Sequence, residues 1–337
     1  MSEGNHEDVA APFGLGIIGA GRVSDKHVAA AAALPHVTLR AVADLDGERA
    51  DALAAKAHAT AYRDYQELLK RDDIDAVVVA LPHFLHCQAA VDAADAGKHV
   101  LVEKPMALTL EECDRMIAAS RQRGVALQVG LTYHYHPASA AAHRMIANGE
   151  LGSLVTGLEV LHGQRRPESQ PAWIMRLDKG GGQMWSNAVH LLDRAMFFAG
   201  GKPRVVKAQV GTKMHDIAAD DNETILLQFD GGLAVTVIAT GFYAGVNAFY
   251  GNYVLTRGMI NLVGQQQLQV AGGDERAYHE PVMNKTPDGF TRQLASFAIA
   301  ARSGAMPQVS GQWGRDVTEV ILAAFESSRT GREVTLG

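Results

Sequence analysis

Only two cysteines occur in the 337 residues, Cys87 and Cys113. Two thiols build neither a disulfide framework nor a four-thiolate metal site, and their scarcity points to a reducing, cytoplasmic setting. No apolar run is long enough to span a bilayer. Residues 1–12 are polar and acidic, without the basic start and apolar stretch of a secretion signal, and are expected to be a disordered leader. An excess of one charge is also missing. The balance of 31 Lys+Arg against 37 Asp+Glu, net −6, gives no electrostatic case for nucleic acid or an anionic membrane as partner. Internal repeats and low-complexity tracts are absent. What remains is 47% hydrophobic and 20% charged, an ordinary globular composition at a length that suits two domains.

From residue 13 to about 130, short apolar runs alternate with helical stretches. Strands are predicted over 15–18, 37–43, 75–81, 100–102 and 126–129, and helices over 25–34, 48–57, 86–96 and 110–123. The run at 75–81, DAVVVAL, is nearly all apolar, as expected for a strand covered on both faces. Gly97 reads as a left-handed helix cap and Thr109 as an N-cap. Repeated βα units of this size predict an α/β fold with a doubly wound parallel sheet. After Pro137 the character changes. A helix over 138–148 precedes longer, glycine-punctuated strands at 154–161, 205–210, 224–229 and 233–239, with Asp230-Gly231-Gly232 as a hairpin signal. A large, mostly antiparallel sheet is predicted there, closed by helices over 290–301 and 315–328.

Gly19-Ala20-Gly21-Arg22-Val23-Ser24 follows the first strand and opens the first helix. Glycines there permit a tight turn and close backbone approach to a pyrophosphate, which the helix N-terminus attracts. The third glycine position holds Ser24, small enough for helix–strand packing. Asp44 ends the second strand, 25 residues after Gly19, close to the ~20 expected of an acid that accepts from the adenosine ribose hydroxyls. A carboxylate there repels a 2′-phosphate, so NAD is expected in preference to NADP; Arg49, a helix turn away, leaves dual use open. The competing reading makes Asp44 the cap of the following helix. Glu103-Lys104-Pro105 lies at the end of the apolar run 100–102, at the carboxyl edge of the sheet where open α/β folds place ligands. Alone, Lys104 reads as a surface charge at a strand end.

Several separated motifs change that reading: Gly19-Ala20-Gly21, Asp44, Leu81-Pro82-His83-Phe84-Leu85-His86, the run 96–105 (AGKHVLVEKP), Gly180-Gly181-Gly182 followed by His190 and Asp193, and the closing stretch 327–334. On these the chain resembles the Gfo/Idh/MocA family of nicotinamide-dependent oxidoreductases. The resemblance implies a Rossmann NAD(P)-binding domain over 13–136. It implies a substrate-binding and oligomerisation domain over 137–337, whose open sheet would join a homodimer or homotetramer and whose closing helix would pack back on the first domain. It further implies hydride transfer between NAD(H) and a carbinol carbon, usually of a sugar, polyol or cyclitol. Lys104 is the active-site lysine by that resemblance, its bond to Pro105 often cis in relatives. The backbone of Gly19, Gly21, Arg22 and Val23, together with Asp44, Leu81, Pro82, His86, Glu103 and Lys104, is expected to hold the cofactor.

The departures from the family pattern carry as much information. His83 stands where Asn is usual, and the segment 133–137, Tyr133-His134-Tyr135-His136-Pro137, where many relatives carry an arginine. In the catalytic helix the common aspartate, four residues before the histidine, is Ser186. Alcohol oxidation needs a base and a positive group for the developing alkoxide. His190 is expected to be the base and Lys104 the polarising cation, with Ser186 on the same helical face as a hydrogen-bond partner for His190. Asp193 could assist or serve as a structural anchor, and the bland alternative makes His190 a packing histidine. Tyr133, His134, Arg165, Trp173, Arg176, Ser186 and Asn187 are the expected substrate-facing residues. His83, His86 and Cys87 cluster but complete no four-ligand pattern, so no metal is expected. Two rivals remain open: a redox-neutral lyase or glycosidase using tightly held NAD, and a non-catalytic dinucleotide sensor.

Overall fold

The computed structural model describes residues 12–242, 244–283 and 286–337; of the expected leader, all but Pro12 lies outside the described residues. Six strands form the first sheet: β1 (Phe13–Ile18), β2 (Val37–Ala43), β3 (Thr60–Tyr62), β4 (Ala76–Val79), β5 (His99–Val102) and β6 (Leu127–Val129). They pair in parallel in the order β3-β2-β1-β4-β5-β6. Between them run α1 (Ser24–Ala32), α2 (Gly47–Ala55), α3 (Tyr65–Leu69), α4 (His86–Asp95) and α5 (Leu110–Arg123). β1 and β4 are buried along their whole length, which is why they read as continuous apolar runs. Strand order reverses between β1 and β4, so a crevice opens beyond their carboxyl ends, the ligand-binding point of this architecture. β3 and α3, three and five residues long, are too short to leave a periodic signal and were not expected. Thr109 caps α5 as expected, accepting from the Glu112 amide at 3.2 Å, and Glu112 reciprocates by accepting from the Leu108 amide.

After α6 (Pro137–Ala147), the second sheet has eight strands: β7 (Leu154–Gln164), β8 (Val205–Gly211), β9 (Asn222–Gln228), β10 (Ala234–Phe242), β11 (Ala248–Leu255), β12 (Gly258–Val263), β13 (Gln267–Gly272) and β14 (Val334–Thr335). Their order is β13-β12-β11-β7-β10-β9-β8-β14, antiparallel throughout except where β7 runs beside β10. The fold is therefore the expected one, a Rossmann sheet followed by a large mostly antiparallel sheet. The hairpin at Asp230-Gly231-Gly232 also forms, with both glycines at positive φ. α7 (Val189–Ala199) packs on β7 and β10 through a nearly all-buried sequence.

α8 (Gly289–Ser303) and α9 (Gly311–Thr330) return to the first domain. α8 covers one face of the Rossmann sheet, Phe297 meeting Phe13 edge-on with ring centroids 6.4 Å apart. α9 bridges the two sheets. Its Arg315 pairs with Asp114 on α5, while Ser327 and Ser328 accept from the Ala208 and Val210 amides of β8, both at 2.9 Å. The expected boundary at 136/137 thus divides the two sheets, but the last two helices cross it. They do so because their apolar faces are buried against β1 and β6 rather than against the second sheet alone.

The seating of α9 depends on Gly314, where a Cβ would lie 2.5 Å from Val129 Cγ2 and 2.9 Å from Met106 Sδ. Alanine ordinarily favours a helix interior over glycine by about 1 kcal/mol. Here overpacking wins: Gly314→Ala is expected to lower the urea midpoint by the equivalent of about 1–3 kcal/mol. A raised midpoint would show that α9 does not approach β6 this closely.

Candidate active site

The glycine turn after β1 is built for close approach. Gly19 has φ +101°, and a Cβ there would lie 2.4 Å from the Ala80 carbonyl oxygen. At Gly21 the only atom near such a Cβ is that same oxygen, 3.9 Å away, so the space in front of the turn is open. Ser24 accounts for the missing third glycine: fully buried, it donates its hydroxyl to the Gly19 carbonyl at 2.7 Å and closes the turn. No side chain caps α1, which leaves its N-terminus to a ligand. Asp44 accepts from the Ala20 amide at 2.7 Å and the Asp46 amide at 2.9 Å. It does not cap α2; Asp46 does, accepting from the Arg49 amide. Each Asp44 oxygen keeps acceptor capacity for a ribose hydroxyl. Arg22 is exposed and Val23 half-buried beside this turn. A dinucleotide fits these residues.

Behind the turn the expected cofactor residues divide into surface and support. Glu103 is buried: His27 donates to its Oε1 at 2.8 Å and the Lys104 amide to its Oε2 at 3.2 Å. Burial pushes the Glu103 carboxyl up, but the His27 hydrogen bond, with His27 and Lys104 charge, more than offsets it and holds the group below its usual range. His86 is completely buried, its two ring nitrogens 2.8 Å from the Pro105 and Leu81 carbonyl oxygens. As the first residue of α4 its ring tucks beneath the loop, so it ties Leu81-Pro82 to the lysine strand instead of presenting a face to a ligand. The Lys104–Pro105 peptide is cis. His83 donates to the Gly180 carbonyl at 2.6 Å and packs edge-on against Trp173 at 4.6 Å. Among the described residues no group of three His, Cys, Asp or Glu is placed to hold a metal ion.

The catalytic helix departs from its expected geometry. Residues Met184–Ala188 form a π-helical turn, and only from Val189 does the chain become α-helical. Asp220 caps this turn, accepting from the Met184 amide at 2.6 Å, and a Cβ on Gly182 would lie 2.2 Å from its Oδ1. Positions 186 and 190 thus straddle the junction of a π turn and an α-helix, so the four-residue stacking of an α-helix does not apply to them. Accordingly the expected Ser186–His190 hydrogen bond does not form: Ser186 Oγ and His190 Nδ1 are both buried without a partner. Ser186 contributes its carbonyl instead, accepting from Lys104 Nζ at 2.6 Å. Burial lowers the Lys104 pKa from its ordinary value. Burial, followed by Lys104, His136 and Arg194 charge, holds His190 well below the ordinary histidine value.

Four of the expected substrate residues have partners within the chain. Tyr133 is buried, its ring stacked on His190 and its hydroxyl accepting from Gln265 at 3.4 Å. His134 is packed between Phe197 and Trp313 and donates to Asp193 at 2.8 Å; Trp313 donates to the same Asp193 oxygen, so Asp193 is a structural anchor between α7 and α9. Arg165 is buried, donating to Gln183 and facing Asp220, Glu223 and Asp221. Arg176 is exposed and paired with Asp178. Trp173, Ser186, Asn187 and His190 remain half-buried: Ser186 and His190 lie beside Lys104, Trp173 packs on His83, and Asn187 donates to Gln183. Sequence reasoning missed the buried triad of Glu159, Arg194 and Tyr253, although Glu159 is a charge inside an apolar strand and Arg194 lies four residues after His190.

It also missed Glu223. Neither of its oxygens, nor Asp220 Oδ1, finds a donor among the described residues. Burial, then the facing Asp220, lifts the Glu223 carboxyl well above its usual range, so it keeps its proton to a higher pH than an exposed carboxyl does. The unfolded chain ionises near the ordinary value of 4.5, and stability therefore falls as pH rises from there toward the raised folded value. Glu223→Gln keeps a neutral group of the same shape. Its melting temperature is expected to vary less than wild type between about pH 5 and pH 8, and to exceed it at the upper end. Parallel curves would refute a protonated Glu223.

Both parts of the chain match family models: residues 13–131 the oxidoreductase family with NAD-binding Rossmann fold, and residues 139–272 the GFO/IDH/MocA C-terminal domain. An uncharacterized oxidoreductase, YrbE, of Bacillus subtilis is 33% identical over 338 residues, spanning 95% of this chain and 96% of its own. A D-xylose 1-dehydrogenase (NADP+) of Haloferax volcanii is 28% identical, covering 96% of this chain and 99% of that one. The crystal structure of an oxidoreductase domain protein from Kribbella flavida superposes with a TM-score of 0.90 at 26% identity, covering 97% of this chain and 100% of its own. With both of its domains matched and a 33%-identical relative along nearly its whole length, the chain belongs to the GFO/IDH/MocA family of NAD(P)-dependent oxidoreductases.

Proposed function

We propose that this protein is a dehydrogenase passing a hydride between NAD(H) and a carbinol carbon of a sugar, inositol-like polyol or related ring alcohol. The observation that carries the reading is the reach of Lys104 to the Ser186 carbonyl, on the turn that leads into His190. It sets a cation and an imidazole at the carboxyl edge of the parallel sheet, beside the open glycine turn. His190, kept neutral by burial and positive neighbours, takes the hydroxyl proton; Lys104 steadies the developing alkoxide. NAD, when bound, supplies the hydride acceptor. Ser186, Asn187 and Trp173 offer contacts to substrate hydroxyls and ring faces. Asp44 favours NAD, because its carboxylate opposes a 2′-phosphate, although the haloarchaeal relative is named for NADP+. The open sheet is proposed as the surface of a homodimer or homotetramer, testable by light scattering of the full chain.

The primary test is a screen for NAD reduction over sugars, cyclitols, sugar acids and cis-dihydrodiols. Net NADH is expected with at least one class, at higher kcat/KM than with NADP. Product without net NADH would mean a redox-neutral reaction, and binding without turnover a sensor. His190→Asn is expected to lower kcat by about 10²–10⁴-fold. Lys104→Ala should keep NAD binding while losing about 10²–10³-fold in turnover. Because His190 titrates below its ordinary 6.5 and Lys104 below 10.5, the acid limb of the turnover profile should lie below the first value and the alkaline limb below the second. A His190→Asn enzyme with unchanged rate and profile would remove the base assignment.

A further inference from the structure

A catalytic imidazole is usually aimed by a carboxylate that accepts from its second nitrogen. Among the described residues nothing of that kind holds His190: its Nδ1 is buried without a partner, and the hydroxyl of Ser186 makes no bond. The nearest constraint on the ring is aromatic. Tyr133 lies flat against it, with ring centroids 4.5 Å apart and planes 12° from parallel.

Tyr133 is itself fixed from several sides. Phe249 lies at 5.6 Å, His136 edge-on at 5.5 Å, and the Arg194 guanidinium 5.4 Å from its ring centroid and 4.9 Å from that of Phe249. Arg194 is in turn held by Glu159, to which it donates through Nε at 2.8 Å and through Nη2, with the Tyr253 hydroxyl donating to the same carboxylate. All three are fully buried. The surroundings confirm how tight this assembly is: a Cβ on Gly251 would come within 3.0 Å of Glu159 and 3.1 Å of Arg194. A buried ion pair is poor evidence of stability, but it fixes geometry strongly, because breaking it strands a charge. A cation over an aromatic face also restrains the ring beneath it.

We propose that Tyr133 is the positioning residue for His190, and that the Glu159–Arg194 pair holds Tyr133 in place. Ring stacking then does what the carboxylate at position 186 does in the common family pattern: it fixes the imidazole plane. It does so without adding negative charge, so the base keeps its orientation and its low proton affinity together. The groups facing His190 and its stack are Lys104 from the first sheet, His136 from the loop after β6, and Arg194 from α7, with Glu159 of β7 behind it. Among the described residues no carboxylate bonds to the imidazole.

The inference rests on His190 as the base, and its test separates the two ideas. Tyr133→Leu removes the ring. Its kcat should fall at least about tenfold, with KM and NADH affinity within about threefold of wild type. Tyr133→Phe keeps the ring and should recover kcat to within about threefold. The independent readout is NMR of the full chain labelled with ¹⁵N-histidine, the His190 signals being those missing from His190→Asn. The upfield ring-current displacement of these signals should persist in Tyr133→Phe and vanish in Tyr133→Leu. Should the leucine variant fail to fold, Tyr133→Met fills the volume without a flat face and carries the same expectations. Unmoved His190 signals, or wild-type kcat in a folded variant lacking the ring, would overturn the proposal. If His190→Asn proves fully active while the ring-current shift behaves as expected, the stack stands and the base assignment fails.

Discussion

The hydrogen bond from Lys104 to the Ser186 carbonyl is the contact on which the rest of the site depends. It joins the carboxyl edge of one sheet to the helix that covers the other, 82 positions later in the chain. Everything behind it is arranged to keep both ends in place. On one side Glu103 holds the Lys104 amide and is held by His27 on the helix that opens the dinucleotide turn. On the other, Asp220 caps the π turn and thereby presents the Ser186 carbonyl outward. The dinucleotide turn, the lysine and the turn that leads into His190 are therefore parts of one hydrogen-bonded unit that spans both domains, and α9 clamps those domains together from behind.

Charge in this unit is distributed so that carboxylates support the site without entering it. Glu103 is bonded to His27, Glu159 to Arg194, and Asp193 to His134 and Trp313; burial raises the proton affinity of Glu223. Lys104 and His190 consequently face each other with no acid between them. Burial lowers the proton affinity of both, and the charges of Lys104, His136 and Arg194 lower that of His190 further. A lysine lowered in this way gives up its proton more readily than one in water, and the imidazole stays neutral and able to accept one.

Much of this was legible in the sequence. The strand–turn–helix pattern, the glycine pair, Asp44 and the apolar run into Glu103-Lys104-Pro105 are local signals, and local signals survive in a linear reading. The departure at Ser186 was visible too, but its consequence was not. Spacing of four residues predicts a shared helical face only if the helix is α, and the π turn follows from Asp220 and Gly182, which contribute from outside the helix. The buried or paired settings of Tyr133, His134, Arg165 and Arg176 have the same origin. Each is an amphipathic or charged side chain whose partner, Gln265, Asp193, Gln183 or Asp178, is set by tertiary or loop geometry. That the closing helix returns to the first domain was implied by the resemblance; that α8 covers β1 while α9 bridges to β6 was not legible, because an apolar helical face does not announce which sheet it will cover.

The central claim is that the proton is handled by Lys104 and His190 without a carboxylate, and installing one tests it most directly. In Ser186→Asp a negative charge would stand on the turn that Lys104 touches. The pH profile of kcat for this variant is the measurement. The account predicts that its acid limb moves upward by about one unit or more, because an adjacent carboxylate stabilises the protonated imidazole and ammonium. A folded variant whose profile coincides with that of the wild type would contradict it.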